Sequence, residues 1–216
     1  MTDAFAQLIP DARSFLAALA QNNSRDWFTA HKDRYEAQLK SPALLLMDEV
    51  AQAITRRSGA QVTAKLFRPQ RDVRFSKDKT PYNTHLHMMW TLNSAGCALF
   101  FGIAPDYCTA GGGIMGFSKA QLPRWRQAAD GAFGDETAAL VDILALKGFA
   151  IKDPELKRVP APYGKAHPHG ALLQRKSLTF WHEMTAREQA APMGALMSAY
   201  LTLEPMFALL DSALAE

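Results

Sequence analysis

Cysteine is scarce in this 216-residue chain: there are two, Cys97 and Cys108. Their spacing matches no zinc or thioredoxin-like motif, and so few sulfurs exclude a disulfide-stapled scaffold. Both lie in strand-like runs, which predicts buried, reduced thiols. No stretch reads as the run of roughly 18–20 apolar residues a membrane-spanning helix requires. The amino terminus carries Asp3 and neither Lys nor Arg before Pro10, so the positive region of a secretion signal is missing. No internal repeat or low-complexity tract occurs. These absences point to a cytoplasmic protein with no membrane partner and no cofactor. With 48% hydrophobic and 21% charged residues, the chain also lies outside the disordered and collagen-like classes.

Hydrophobic spacing divides the chain into three parts that together predict a single domain over residues 1–216. Residues 1–58 are helical. Leu8, Ala12, Phe15, Leu16 and Leu19 recur at helical spacing, Ser24 is an N-cap candidate, and Trp27, Phe28, His31, Tyr35 and Leu39 share one face. Ser41-Pro42 repeats the start signal and Gly59 supplies a stop. Residues 62–116 shift to short extended runs: Val62–Arg68, Asn83–Leu92, Cys97–Ile103 and Tyr107–Met115. Asn93-Ser94-Ala95-Gly96 and Ala104-Pro105-Asp106 are turns between them, so the strands form an antiparallel meander without crossover helices. Residues 118–216 return to helix. Ser118 with Gln121 and Thr185 with Glu188 are capping boxes, Lys152–Gly170 is an ordered Pro-rich loop, Leu178–His182 is a further strand, and Pro205 breaks or restarts the last helix. The fold class is α+β: an antiparallel sheet of four to six strands flanked by N- and C-terminal helices.

Charge is uneven. Lys65 to Lys79 holds six cations against two anions, a local +4 in a chain of net +3, so the remaining residues sum to −1. That argues against the broad basic face of a duplex-binding protein. If Arg71 to Phe75 is extended, Arg71, Val73 and Phe75 share a face, and a guanidinium drawn towards a core needs a carboxylate or an anionic ligand. Phe75 is one of two rings in this segment read as core-facing. Three readings follow. In one, Arg71 or Arg74 is held by Asp72, Asp78 or an acidic helix residue, and the segment is structural or a partner-binding module. In the second, a small phosphate- or carboxylate-bearing ligand binds there: Arg68, Arg71 and Arg74 supply guanidinium contacts, Lys77 and Lys79 point charges, and Tyr82 a hydroxyl or stacking face. Trp27, His31 and Tyr35 then form the opposite wall. In the third, nucleic acid uses the same cations, although a single strand calls for exposed aromatics among them.

Other motifs are weaker. Gly111-Gly112-Gly113-Ile114-Met115-Gly116 formally fits G-x-G-x-x-G, but Glu136, at the distance of the acidic partner, opens a helix, which argues against a dinucleotide site. A glycine turn that accepts an anion with Ser118 is a second reading, and plain turn geometry the preferred one. His85 and His87 project from one strand face without further ligands at metal spacing, so no metal is expected. His167 and His169 lie in a Pro-bounded loop, where an ordinary surface role is preferred over general acid–base chemistry. No nucleophile elbow or Walker loop is present, and enzyme status stays open.

The pattern Phe15-Leu16, Asn22-Asn23, Trp27-Phe28, Lys32 and Tyr35, followed by Arg71-Asp72-Val73-Arg74-Phe75-Ser76-Lys77-Asp78-Lys79-Thr80-Pro81-Tyr82, resembles the bacterial and fungal family numbered 2461 among domains of unknown function. Leu172-Leu173 with Lys176-Ser177-Leu178 is similar to that family's C-terminal pattern. The resemblance implies one full-length α+β domain and carries no activity with it.

Overall fold

A computed structural model describes residues 3–92 and 95–214. In chain order the elements are α1 (Leu8–Gln21), α2 (Arg25–Ala30), α3 (Lys32–Tyr35), α4 (Ser41–Ser58), β1 (Thr63–Leu66), β2 (Leu86–Thr91), β3 (Ala98–Ile103), β4 (Cys108–Ile114), α5 (Gln121–Ala129), α6 (Ala132–Leu146), β5 (Ala150–Ile151), α7 (Gly170–Leu173), β6 (Leu178–Glu183), α8 (Ala186–Gln189) and α9 (Pro192–Leu214). The six strands form one antiparallel sheet in the order β1-β2-β3-β4-β6-β5. The expected α+β class and meander are present, with β6 returning beside β4 and the two-residue β5 completing the far edge. Of the expected Asn93–Gly96 turn, Asn93 and Ser94 lie outside the described residues, and the Leu92 N–H donates across it to the Cys97 carbonyl at 2.8 Å.

Contacts divide the chain into two compact units. The first comprises Met1–Trp90, Phe100–Ala110 and Glu183–Ser198. Its α1 buries Leu8, Ala12, Phe15, Leu16 and Leu19, the face that the spacing predicts. Ser24 caps α2 by accepting the Trp27 N–H at 3.3 Å. The break expected at Ser41-Pro42 does not occur. A π-turn over Glu36–Lys40 joins α3 to α4, and the Ser41 N–H donates to the Glu36 carbonyl. Pro42 has no N–H to donate, so the helix must lose one regular bond there, and the wider turn accommodates that loss without ending the helix. Leu86, Met88 and Trp90 alternate inward along β2, and the Trp90 indole N–H is satisfied by the Met47 carbonyl of α4 at 2.9 Å. Cys108 is buried and free, and burial pushes its thiol up to about 12.

The second unit comprises Thr91–Leu99, Gly111–His182 and Ala199–Glu216. The Gly111–Gly113 run lies inside β4, as the predicted strand Tyr107–Met115 has it, and not in the glycine turn preferred for the same motif. A Cβ at Gly111 would meet the Phe180 carbonyl of β6, and one at Gly113 (φ +133°) the Leu178 carbonyl. At Gly112 a Cβ would come within 2.6 Å of the Phe207 ring of α9. Three successive positions thus let β6 and α9 approach the backbone of β4 closely, which only glycine allows.

Helix α9 departs from expectation twice. Pro205 neither breaks nor restarts it. It is also long and apolar enough, by length and composition, to cross a membrane, contrary to the sequence reading. Its buried residues Leu196, Ala199, Tyr200, Leu203, Met206, Phe207, Leu210 and Leu214 recur three or four apart, the stripe of a core-packed helix.

Candidate functional site: two basic segments

The basic run identified from sequence forms a loop rather than a strand. Its ends are paired at a neck: Gln70 and Tyr82 form an antiparallel bridge, the Arg71 N–H donates to the Pro81 carbonyl at 2.9 Å, and the Asn83 N–H to the Pro69 carbonyl at 2.7 Å. Inside the neck the Arg71 guanidinium binds the Asp78 carboxylate and the Thr80 hydroxyl. Asp78 also accepts the Thr80 N–H, and these bonds hold its carboxyl down at about 2. Arg74 forks onto Asp72 at 2.6 and 2.9 Å. That bond, with the Arg74 N–H, lowers the Asp72 pKa. Lys79 donates to the Val73 carbonyl at 3.0 Å.

Two of the three guanidiniums expected to await an external anion, those of Arg71 and Arg74, are therefore matched by acids of their own loop. The reason is geometric. An extended reading sends Asp72 away from Arg71, whereas a closed loop brings Asp78 and Thr80 back to it. Val73 and Phe75 do not share a core face with Arg71, and Phe75 is 96% exposed.

The supposed opposite wall is an aromatic cluster. Tyr82 is buried with its ring stacked on Phe28 at 4.1 Å, so the face assigned to a ligand is occupied. Tyr35 packs on Phe28 and Phe15, and Trp27 stacks on His31 at 4.0 Å. The His31 Nδ1 lies 2.7 Å from the Trp27 carbonyl. Asn23 clamps the backbone of Tyr82 from both sides, accepting its N–H at 3.1 Å and donating to its carbonyl at 2.9 Å. Of the five proposed cations, only Arg68 and Lys77 form no side-chain hydrogen bond or ion pair among the described residues.

Arg71 and Arg74 should consequently differ in stability effect. The Arg71 side chain is 24% exposed and holds the loop interior, while Arg74 is 77% exposed in a local pair. Arg71→Ala is expected to lower Tm by several degrees and Arg74→Ala by less than about 2 °C, measured by thermal melting.

A second basic segment lies in the other unit and escapes a reading centred on residues 65–79. Lys147 to Lys176 holds seven cations against two carboxylates, a local +5. A count over a thirty-residue window finds it. The cations are spread among four prolines, so no short motif marks them.

Four hydrogen bonds fasten the start of this Pro-rich loop to its end. The Leu156 N–H donates to the Gln174 carbonyl at 3.1 Å, the Arg175 guanidinium to the Lys152 carbonyl at 2.7 Å, and Glu155 accepts the Lys176 N–H at 2.7 Å and the Ser177 hydroxyl. Glu155 is thereby engaged away from Lys157 and Arg158. On the other side, His167 Nε2 lies 2.7 Å from Asp130, and its Nδ1 accepts the His169 N–H at 3.0 Å. With Nδ1 accepting, the proton of the neutral ring sits on Nε2 and points at Asp130. No lone pair is left for general-base work, so His167 is a fixed wall. His169 Nε2 pairs with Asp135 at 3.1 Å.

Between these fastenings lies an open concavity of about 610 Å³. Val159, Gly170 and Ala171 line it together with Lys157, Arg158, Lys165, His167 and Gln174. The Lys157, Arg158 and Lys165 side chains make no hydrogen bond or ion pair among the described residues. A Cβ on Gly170 would lie 3.1 Å from the Val159 methyl, so glycine keeps this wall thin.

The remaining motifs form local contacts. The Ser118 and Gln121 amides are taken by each other's side chains at 3.0 and 3.1 Å, and the Gln121 side-chain amide donates to the Ala95 carbonyl. His85 and His87 stack at 3.8 Å, and His87 Nε2 lies 2.6 Å from the Tyr107 hydroxyl. No group of three metal-ligating side chains occurs among the described residues.

The curated proteins compared with this chain give no match. A family described as conserved hypothetical protein, DUF2461, matches residues 11–208. The match spans the N-terminal helices, the closed basic loop, the sheet and the Pro-rich loop, and the chain belongs to that family.

Proposed function

We propose that the protein binds a small phosphate- or carboxylate-bearing ligand in the concavity lined by Lys157, Arg158 and Lys165. One observation carries the reading: three cations without internal partners line one hollow, whereas the guanidiniums of the Arg71 loop are already neutralised. An Arg fork with two Lys point charges suits an oxyanion, and Gln174 adds an amide donor. The free, buried cysteines fit a reducing, cytoplasmic compartment.

The test is thermal melting with inorganic phosphate or citrate against chloride at equal ionic strength. Ligand at about 100 times its Kd should stabilise the fold by about 2.7 kcal/mol, a rise of about 5–11 °C for a chain of this size. Whichever anion gives the larger rise at equal concentration identifies the chemistry. The Lys157→Gln/Arg158→Gln double variant should melt normally without ligand and lose the rise. Absence of any anion-specific rise, or its survival in that variant, overturns the proposal.

A further inference from the structure

The edge of the sheet at β1 and the closed loop beyond it form a second surface of different character. Phe67, just past β1, is 39% exposed, and the Lys65 ammonium lies 4.8 Å from its ring centroid. The His87 ring meets Phe67 edge-on at 6.5 Å and is itself stacked on His85. Beyond the neck, Phe75 stands clear of the protein with the Arg74 guanidinium 5.9 Å from its centroid. Two exposed rings, each accompanied by a cation, thus sit on fixed backbone: Phe67 is tied to the His87 carbonyl of β2, and the loop carrying Phe75 is held by the neck and by Arg71.

The two carboxylates of the loop are turned to its own guanidiniums. The charges left for a partner are those of Lys65, Arg68, Lys77 and Lys79, and only Lys79 is tied, to a carbonyl that leaves its charge intact. This is the aromatic interleaving a single strand requires, and it is present because Phe75 and Phe67 are exposed. A small anion finds no enclosure here. A duplex groove takes a helix or a two-stranded ribbon, and the loop offers only a single bridged pair. A bilayer would have to admit Arg74 and Lys77 beside a single phenyl ring, whose burial alone gives weak anchoring. We propose that the β1 edge and the Arg71–Thr80 loop bind single-stranded nucleic acid, with Phe67 and Phe75 stacking on bases and Lys65, Arg68, Lys77 and Lys79 contacting phosphates.

Fluorescence anisotropy with a labelled oligothymidylate of about 20 nucleotides tests this. Four phosphate contacts predict a slope of log K against log salt near −3, from about −0.7 per contact, and Lys77→Gln should flatten it by about 0.7. Phe75→Ala should weaken binding about 5- to 150-fold, the increment of one stacked base, with no change in Tm because the ring touches so little. The Lys157→Gln/Arg158→Gln variant should bind the oligonucleotide as the parent does. Equal affinity for a duplex of the same length overturns the proposal, as does undiminished binding by Phe75→Ala. So does loss of binding in the Lys157/Arg158 variant. If the oligonucleotide fails to bind while phosphatidylserine vesicles sediment the protein, the surface is a membrane contact and the proposal falls.

Discussion

Gly113→Ala is expected to unfold the protein or lower its Tm by about 10 °C or more, a loss on the order of 4–5 kcal/mol. Two costs combine. At φ +133° an L side chain is strained by about 1–3 kcal/mol. Its Cβ would also press on the Leu178 carbonyl and the Thr179 Cα, backbone atoms of β6 that cannot rotate away. Relief requires parting β4 from β6 and breaking their hydrogen bonds. Gly116→Ala is the internal control, three residues on, with nothing near the added methyl and no positive φ. Melting followed by circular dichroism should show the first variant lost and the second within about 2 °C of the parent. Equal melting of the two would mean that β4 and β6 do not approach as described.

Phe28→Ala is expected to cost about 3–5 kcal/mol, the range for deleting a buried phenyl group. Phe28 is 6% exposed and touches three rings: Tyr82 stacked at 4.1 Å, Tyr35 at 5.3 Å and Phe15 edge-on at 6.1 Å. Its loss removes the surface on which Tyr82 rests, leaving Asn23 and the neck hydrogen bonds to hold that end of the basic loop. Chemical denaturation should give the free-energy loss. A double-mutant cycle of Phe28→Leu with Tyr82→Leu should return a coupling of about 0.5–1.5 kcal/mol, the worth of an aromatic pair beyond its buried area. A coupling near zero would remove Tyr82 from the cluster.

The helices were legible because their apolar residues repeat at the period of the structure. Every position picked out on α1 is buried, and the Thr185 capping box forms as its letters suggest. The junction at Ser41-Pro42 was illegible for a specific reason: a cap followed by proline signals a new start, and a π-turn running through it uses the same residues. The strand that holds the glycine run of β4 was legible, but the reason for three glycines in it was not. Their role depends on β6 and α9, which lie 65 to 100 residues downstream.

For the candidate site the charges were visible and their partners were not. Asp78 and Thr80 reach Arg71 only once Pro69 to Arg71 pairs with Pro81 to Asn83. Phe75 was read as core because it is apolar, yet no neighbour covers it. Lys157, Arg158 and Lys165 are dispersed in sequence and share a hollow only after Leu156 is tied to Gln174.

Helix α9 has a consequence for the chain's synthesis. As it leaves the ribosome, this segment has the length and greasiness of a bilayer anchor. By then the glycine groove of β4 that receives Leu203 and Phe207 has long been made, since it lies far upstream. The groove that buries the apolar stripe is therefore synthesised before the stripe itself.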